Sequence, residues 1–373
     1  MKSKQIFYDA DNTLDFNNID LNPNLILVFA NRELLQESNI GQEIRQAFPQ
    51  AILAGCSTAG EIGQAMVKEN TASVTFIEFE KTEVAYREHH IKNAIDSLSC
   101  GGLLIESLPK ENLKHVFVLS DGLNINGSQL VIGMRDKLSD NCQLTGGLAA
   151  DGAKFKETLL LNNMGELKNN TVIALGFYGN NLEVGYGSMG GWNSFGIERL
   201  VTKSKSNVLF ELDGKPALEL YKSFLGDQAQ NLPSSGLLFP LSVRSESDKP
   251  PLVRTILGVS EEDQSLTFAG DVPEGSYVRL MKANIDRLID GAEEAAQIAM
   301  VEKNSLAILI SCVGRKLVLK QLVEEEVESV RDVLGNNCTL TGFYSYGEIA
   351  PFKKDAPCEL HNQTMTITTF REN

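Results

Sequence analysis

No two of the six cysteines (Cys56, Cys100, Cys142, Cys312, Cys338 and Cys358) stand in a C-x-x-C pair. Paired-cysteine zinc sites and a disulfide framework are therefore not expected; cysteines in apolar settings behave as small hydrophobes. No run of about 18 apolar residues exists, so no membrane span is expected. The N-terminal MKSKQIFYDADNTLDF turns acidic where a signal peptide would be apolar, which predicts a cytoplasmic protein. Cations are few: 34 Lys and Arg against 49 Asp and Glu give a formal charge of −15, which opposes phosphate backbones and argues against a nucleic-acid partner. Histidine is scarce too. Of His89, His90, His115 and His361, the adjacent first two would point to opposite faces of a strand and cannot easily share one metal.

What the chain does have is a repeat. Arg45-QAFPQAILAGCSTAGEI, Arg135-DKLSDNCQLTGGLAADG and Arg331-DVLGNNCTLTGFYSYGEI place a glycine (Gly55, Gly146, Gly342) 10, 11 and 11 residues after the arginine. The first and third copies also share Gly-x-x-x-x-Gly-Glu-Ile (55–62 and 342–349). Each follows an apolar run and a helical pattern. The predicted unit is strand, helix, strand and glycine-rich loop, with equivalent loops gathering at one place. The predicted fold class is α/β: repeated strand-helix-strand units with glycine-rich loops, forming two related halves plus an antiparallel β portion over strands 171–282. A length of 373 residues suggests two or three structural units.

Buried strands are predicted at 24–30, 51–55, 73–80, 115–122, 171–179, 305–312 and 364–370, with 83–91 pairing with 73–80 as a hairpin. Helices are expected at 40–48, from Ser128 to Leu138, at 216–226, at 284–303 and over 319–334; residues 227–251 read as irregular. Gly185-Tyr-Gly187-Ser-Met-Gly190 has the spacing of a dinucleotide fingerprint, but strand-like residues follow where the phosphate-binding helix should begin. Gly55-Cys-Ser57-Thr58-Ala-Gly60 is not a nucleophile elbow, because its second glycine is one place late.

The glycine loops carry Ser57, Thr58, Glu61, Asp151, Tyr344, Ser345, Tyr346 and Glu348. The expected pocket is lined from the C-terminal half by Tyr344, Tyr346, Glu348, His361 and Asn362, since tyrosines give apolar walls with polar tips and a carboxylate and amide fix orientation. Ser57, Thr58 and Glu61 occupy the corresponding N-terminal loop and are expected to face the same cleft.

At AGCSTAGEI, LSDGLNINGS, LTGGLAADGAKFKET, GGWNSFG, LDGKPALELY, GFYSYGEIAP and ELHNQTM the chain resembles the FIST family of bacterial sensory proteins. The resemblance runs from about residue 24 to 370. It implies a FIST N-terminal domain over 20–213 and a FIST C-terminal domain over 214–373. Where the family commonly reads Ala-Gly-Asp-Gly, this chain has Ala149-Ala150-Asp151-Gly152, which implies a less open second loop. The implied function is non-enzymatic small-molecule sensing in signal transduction. Similarity to the NosP group adds the expectation of a haem-based nitric oxide sensor, with His361 as axial ligand, that regulates a histidine kinase of a two-component system or a cyclic-di-GMP enzyme. The alternatives are a sensor of amino acids or another small polar ligand, and a small-molecule enzyme using Glu61 and Glu348.

Overall fold

The computed structural model describes residues 1–9, 15–139, 141–245, 251–303, 305–352 and 356–373; parts of the expected acidic N-terminal stretch and of the 227–251 segment lie outside them. Unit one comprises β1 (Lys2–Tyr8), β2 (Leu25–Ala30), α1 (Arg32–Glu37), α2 (Ile40–Ala47), β3 (Ile52–Ser57), the hairpin β4 (Glu61–Gly63) and β5 (Met66–Lys68), and β6 (Ala72–Glu78). Unit two repeats it as β7 (Glu83–His90), α3 (Ser97–Glu106), β8 (Leu113–Ser120), α4 (Gly127–Arg135), β9 (Gln143–Leu148), the hairpin β10 (Leu160–Leu161) and β11 (Leu167–Lys168), and β12 (Thr171–Tyr178).

Unit three opens on β13 (Leu182–Met189) and is interrupted by an insertion. This contains β14 (Trp192–Lys205), β15 (Val208–Leu212), β16 (Lys215–Pro216), α5 (Ala217–Leu225), β17 (Leu241–Arg244), β18 (Leu252–Arg254), β19 (Ile256–Ser260), β20 (Ser265–Phe268) and β21 (Tyr277–Ala283). The unit resumes with α6 (Ile285–Ala299), β22 (Leu306–Cys312), α7 (Val313–Leu319), α8 (Val323–Leu334), β23 (Thr339–Ser345), the hairpin β24 (Gly347–Pro351) and β25 (Cys358–His361), and β26 (Met365–Glu372).

Three six-stranded sheets result, and their orders match position by position: β1-β6-β2-β3-β10-β11, β7-β12-β8-β9-β24-β25 and β13-β26-β22-β23-β4-β5. Each centres on a parallel pair, which needs the helical crossover that the sequence supplies. Each is completed by a hairpin from another unit. The first unit's hairpin extends the third sheet, the second's extends the first, and the third's extends the second. The exchange is cyclic, so relatedness extends to the second unit as well as the first and third. The insertion folds as a separate antiparallel sheet around its own apolar cluster.

The recurrent arginines hold these exchanged hairpins. Arg45 Nη2 donates to Asn163 Oδ1 at 2.9 Å, Arg331 Nη2 to Gln64 O at 2.7 Å and Arg135 Nη1 to Cys358 O at 3.4 Å. The inner faces of the sheets share a core that includes Phe29, Phe117, Phe177, Phe343 and Phe370, all at most 1% exposed.

Four expectations change. Strand 83–90 pairs with β12 rather than with β6, because β6 is already flanked by β1 and β2. Strands 171–178 and 182–189 belong to the second and third sheets, so the separate antiparallel portion begins at Trp192. The helix that opens α4 is capped by Asn126, whose side chain accepts from Gln129 N, with Ser128 inside the first turn. Residues 226–231 and 234–238 form 3-10 turns, and 241–244 is a strand. Gly185 and Gly187 sit inside β13 against α6, where a Cβ would lie 2.0 Å from Ala299 O and 2.4 Å from Ala295 O. Those glycines serve helix-on-sheet packing rather than a nucleotide. Among the described residues no helix is long and apolar enough to cross a membrane.

Candidate functional site

The three loops that follow β3, β9 and β23 interlock. Ala150 N donates to Ser57 O at 2.9 Å, Tyr346 N to Leu148 O at 3.3 Å and Ala59 N to Tyr344 O at 2.9 Å. Each strand end is therefore tied to the next unit's loop, and the loops gather as the repeat predicts.

Glu61 and Glu348 occupy equivalent positions with equivalent partners. Glu61 Oε1 accepts from Thr58 Oγ1, and its Oε2 accepts from Thr71 N at 3.2 Å and Thr71 Oγ1 at 2.9 Å. Glu348 Oε1 accepts from Ser345 Oγ at 2.6 Å, and its Oε2 from Thr364 N at 3.1 Å and Thr364 Oγ1 at 3.0 Å. The recurrent Gly-Glu-Ile is thus a self-bonded turn that ties the hairpin to the following strand. Burial pushes Glu61 up to about 7 and Glu348 up to about 8, against the opposing pull of those hydrogen bonds. A carboxyl whose pKa is higher folded than unfolded contributes stability below about pH 4.5, and that contribution is lost as pH rises toward the folded value. Glu348→Gln is expected to flatten the fall in melting temperature between about pH 5 and about pH 8. An unchanged slope would remove this carboxyl as its source.

The C-terminal loop does not line the expected pocket. Tyr344, Tyr346, Glu348, His361 and Asn362 are all at most 3% exposed. The insertion covers the 362–363 turn: Thr255 N donates to Asn362 Oδ1 at 3.3 Å, and Gln363 Nε2 donates to Leu237 O at 2.9 Å. Tyr344 donates inward to Glu326, and Tyr346 donates to Asp151 while stacking on Phe155 at 4.7 Å. Ser57 is also sealed, with its Oγ accepting from Leu159 N at 2.9 Å. The expected grouping of both loops on one cleft fails because the insertion closes one of them.

The first loop borders open space, although its Thr58 and Glu61 are themselves at most 2% exposed. A cleft of about 520 Å³ lies where the three units meet. Unit one lines it with Thr58, Glu61, Glu69 and Asn70, unit two with Asp151 to Lys154, and unit three with Lys316 and Leu317 of α7 and with Lys320 just after it. Lys316 is its central cation. Its Nζ donates to Ala59 O at 2.6 Å, pairs with Glu69, and lies 5.9 Å from the centre of the Tyr344 ring. Asp151 receives Arg32 Nη1 at 3.2 Å together with the backbone N–H groups of Lys156 and Glu157. The cleft thus sets lysines against carboxylates over a span that suits a small molecule bearing both charges.

Lys316 lies before the helix that the apolar spacing predicts over 319–334, and nothing in that spacing singles out Lys320. Val313–Leu319 is in fact a short helix of its own, directly after β22. The cluster Arg315-Lys316 followed by Lys320, in a chain so poor in cations, was the available signal.

His361 does not fit an axial haem ligand. Its Nε2 bonds to Ala350 O at 2.9 Å, its ring packs on Phe352, and burial pushes it down to about 4. At 3% exposure it offers no open face to a porphyrin. His115 is buried against Thr145 Oγ1 at 2.8 Å, and His89 and His90 alternate along the edge strand β7. Among the described residues no cluster of three or more His, Cys, Asp or Glu could hold a metal ion.

Comparison with known proteins agrees with the repeat motifs. Residues 24–215 match the FIST N domain and residues 217–351 the FIST C domain. An uncharacterized protein of Methanocaldococcus jannaschii is 24% identical over 345 residues; the match covers 82% of this chain and spans 65% of that relative's length. A cyanuric acid hydrolase from A. caulinodans overlaps the whole chain and 99% of its own at 7% identity, with a TM-score of 0.37, too low to carry an argument. The chain belongs to the FIST family, whose domains are the small-molecule-sensing parts of signalling proteins.

Proposed function

We propose that this protein is a non-enzymatic cytoplasmic sensor that holds an amino acid, or a small molecule of the same charge pattern, in the cleft beside Lys316. The observation that carries the reading is the convergence of three units on one open cleft, lined by Lys154, Lys316 and Lys320 together with Glu61, Glu69 and Asp151. An ammonium would bind a ligand carboxylate and a carboxylate would bind its amine, while Leu317 and Val67 supply apolar wall. The enzyme alternative loses its carboxylate pair: Glu61 lines the cleft, whereas Glu348 is closed into its own loop beneath the insertion. Six buried cysteines, all unpaired, suit the reducing cytoplasm. A histidine kinase or a cyclic-di-GMP enzyme is the partner that the resemblance implies. Haem is not carried forward, because His361 has no open face.

Calorimetric titration of the purified protein with each common amino acid is the test. At least one is expected to bind saturably, and Lys316→Ala is expected to weaken it by about tenfold or more, the worth of one charge-assisted hydrogen bond. Haem titration of the same sample is expected to give no saturable Soret band. A wild type that binds no amino acid, or a Lys316→Ala variant of unchanged affinity, overturns the reading.

A further inference from the structure

A second groove, of about 220 Å³, lies between α4, the edge of the inserted sheet and the third hairpin. Its least expected lining residue is Arg254, whose side chain sits at 4% exposure in the heart of this junction. Nε donates to Asp271 O at 3.1 Å, Nη1 to Leu360 O at 3.0 Å and Val253 O at 3.3 Å, and Nη2 to Ser128 Oγ at 3.4 Å. These bonds clamp the insertion onto the third hairpin and α4, and they leave one N–H of Nη2 over. They do not neutralise the charge. Among the described residues no carboxylate forms an ion pair with Arg254. Burial depresses the guanidinium to about 10, with the more distant Asp271 and Glu359 acting the other way. A guanidinium buried without an anion is costly, and a neutral side chain could satisfy such carbonyls at less expense.

The same groove collects a second guanidinium. Arg135 is the counterpart of Arg45 and Arg331 in the repeat. Arg45 donates to Pro49 O at 3.0 Å and Asn163 Oδ1 at 2.9 Å; Arg331 donates to Gly335 O at 2.9 Å and Gln64 O at 2.7 Å. Among the described residues Arg135 makes one long bond, to Cys358 O at 3.4 Å, and lines the groove instead. Ser128 adds a hydroxyl that already accepts from Asp271 N at 3.1 Å and from Arg254, so its own hydrogen can be donated. Two carboxylates share the lining, so its formal charge is zero, and neither forms an ion pair with Arg254. The Asp271 carboxylate is engaged by Asn126 Nδ2 at 2.6 Å and by Gln129 Nε2, and Glu359 is half-buried on the lining.

We propose that this groove is a second binding site, for a small oxyanion held by Arg254 and Arg135 at the junction between the insertion and the repeat core. It is independent of the amino-acid reading, because no residue of the first cleft lines it. A bound carboxylate or phosphate group would accept from the unused N–H groups of both guanidinium groups and form the ion pair that Asp271 and Glu359 do not make with Arg254. Its volume suits a phosphate-sized or acetate-sized group rather than a nucleotide.

The test titrates the full chain with inorganic phosphate, and separately with acetate, at low chloride, following the arginine Nε–H signals by NMR. Saturable one-to-one binding of at least one probe is expected, with the probe that binds tighter identifying the group. Arg135→Gln is expected to weaken it by about tenfold, while Lys316→Ala leaves it unchanged. Arg254→Gln should abolish binding, and because that variant removes a clamp its folding is checked by circular dichroism, with Arg135→Gln deciding the matter should it unfold. Absence of saturable binding of both probes to the wild type, or undiminished binding by Arg135→Gln, overturns the proposal.

Discussion

Gly342→Ala is expected to destabilise the protein by about 3 kcal/mol or more. Gly342 stands opposite Leu309 in the parallel pair at the centre of the third sheet, and a Cβ there would lie 1.8 Å from Leu309 O. The equivalent distances are 2.2 Å from Gly55 to Val28 O and 2.0 Å from Gly146 to Val118 O. The obstacle in each case is backbone, in strands buried on both faces, so no side-chain rotation relieves it. Overpacking that forces a backbone shift costs about 3 kcal/mol or more, a large part of the roughly 5–15 kcal/mol of a folded domain. Urea denaturation followed by circular dichroism measures the loss. Gly102→Ala is the control: its Cβ would meet nothing closer than 3.6 Å, inside α3, and gains about 1 kcal/mol of helix propensity. A Gly342→Ala protein with the wild-type midpoint would show that the close approach is not what the glycine provides.

That same residue shows how much was legible. The arginine-to-glycine spacing identifies the repeat, because a glycine at one register of each parallel pair and an arginine in the last turn of each helix preceding its second strand (α2, α4, α8) are local requirements of the unit. Both leave their mark on the chain wherever the unit recurs. The loops were not the reason for these glycines, which lie within β3, β9 and β23. What could not be read is how the units combine. Exchange of the hairpins sets Glu61 beside Phe343 in the third sheet, a contact across 282 positions that no local pattern encodes. The closing of the third loop depends on Leu237 and Thr255 of the insertion, and neither residue carries a motif. Glu61 and Glu348 are twins in sequence and in hydrogen bonding, and they differ only in what lies over them. Cover rather than motif decides which loop borders open space: the motifs point to the C-terminal half, while the cleft borders the N-terminal loop.

Glu326→Ala is expected to destabilise the protein by about 3–5 kcal/mol, the cost of leaving a buried guanidinium without its carboxylate. Arg315 and Glu326 are both fully buried, with Nη2 and Nε of the arginine 2.8 and 3.1 Å from Glu326 Oε2. The other carboxylate oxygen accepts from Ser311 Oγ at 3.1 Å and from Tyr344. The arginine continues to Leu288 O at 2.6 Å and Gly190 O at 3.3 Å, which flank the exit from and the entry to the insertion. One ion pair therefore holds α7, α8, the strand end at Tyr344 and the base of the insertion together. A double-mutant cycle separates the pair from its surroundings. Arg315→Met should cost a similar amount, and the double variant Arg315→Met/Glu326→Ala should recover more than about 2 kcal/mol relative to the sum, since it removes both charges together. Additive losses would mean that the two residues act separately. Lys316 follows Arg315 directly and faces the cleft, so loosening α7 should also weaken amino-acid binding in Glu326→Ala at temperatures where that variant is still folded. Full affinity in the folded variant would show that α7 keeps its place without the pair, and that the cleft is held by the Lys316 contacts to Ala59 and Glu69 alone.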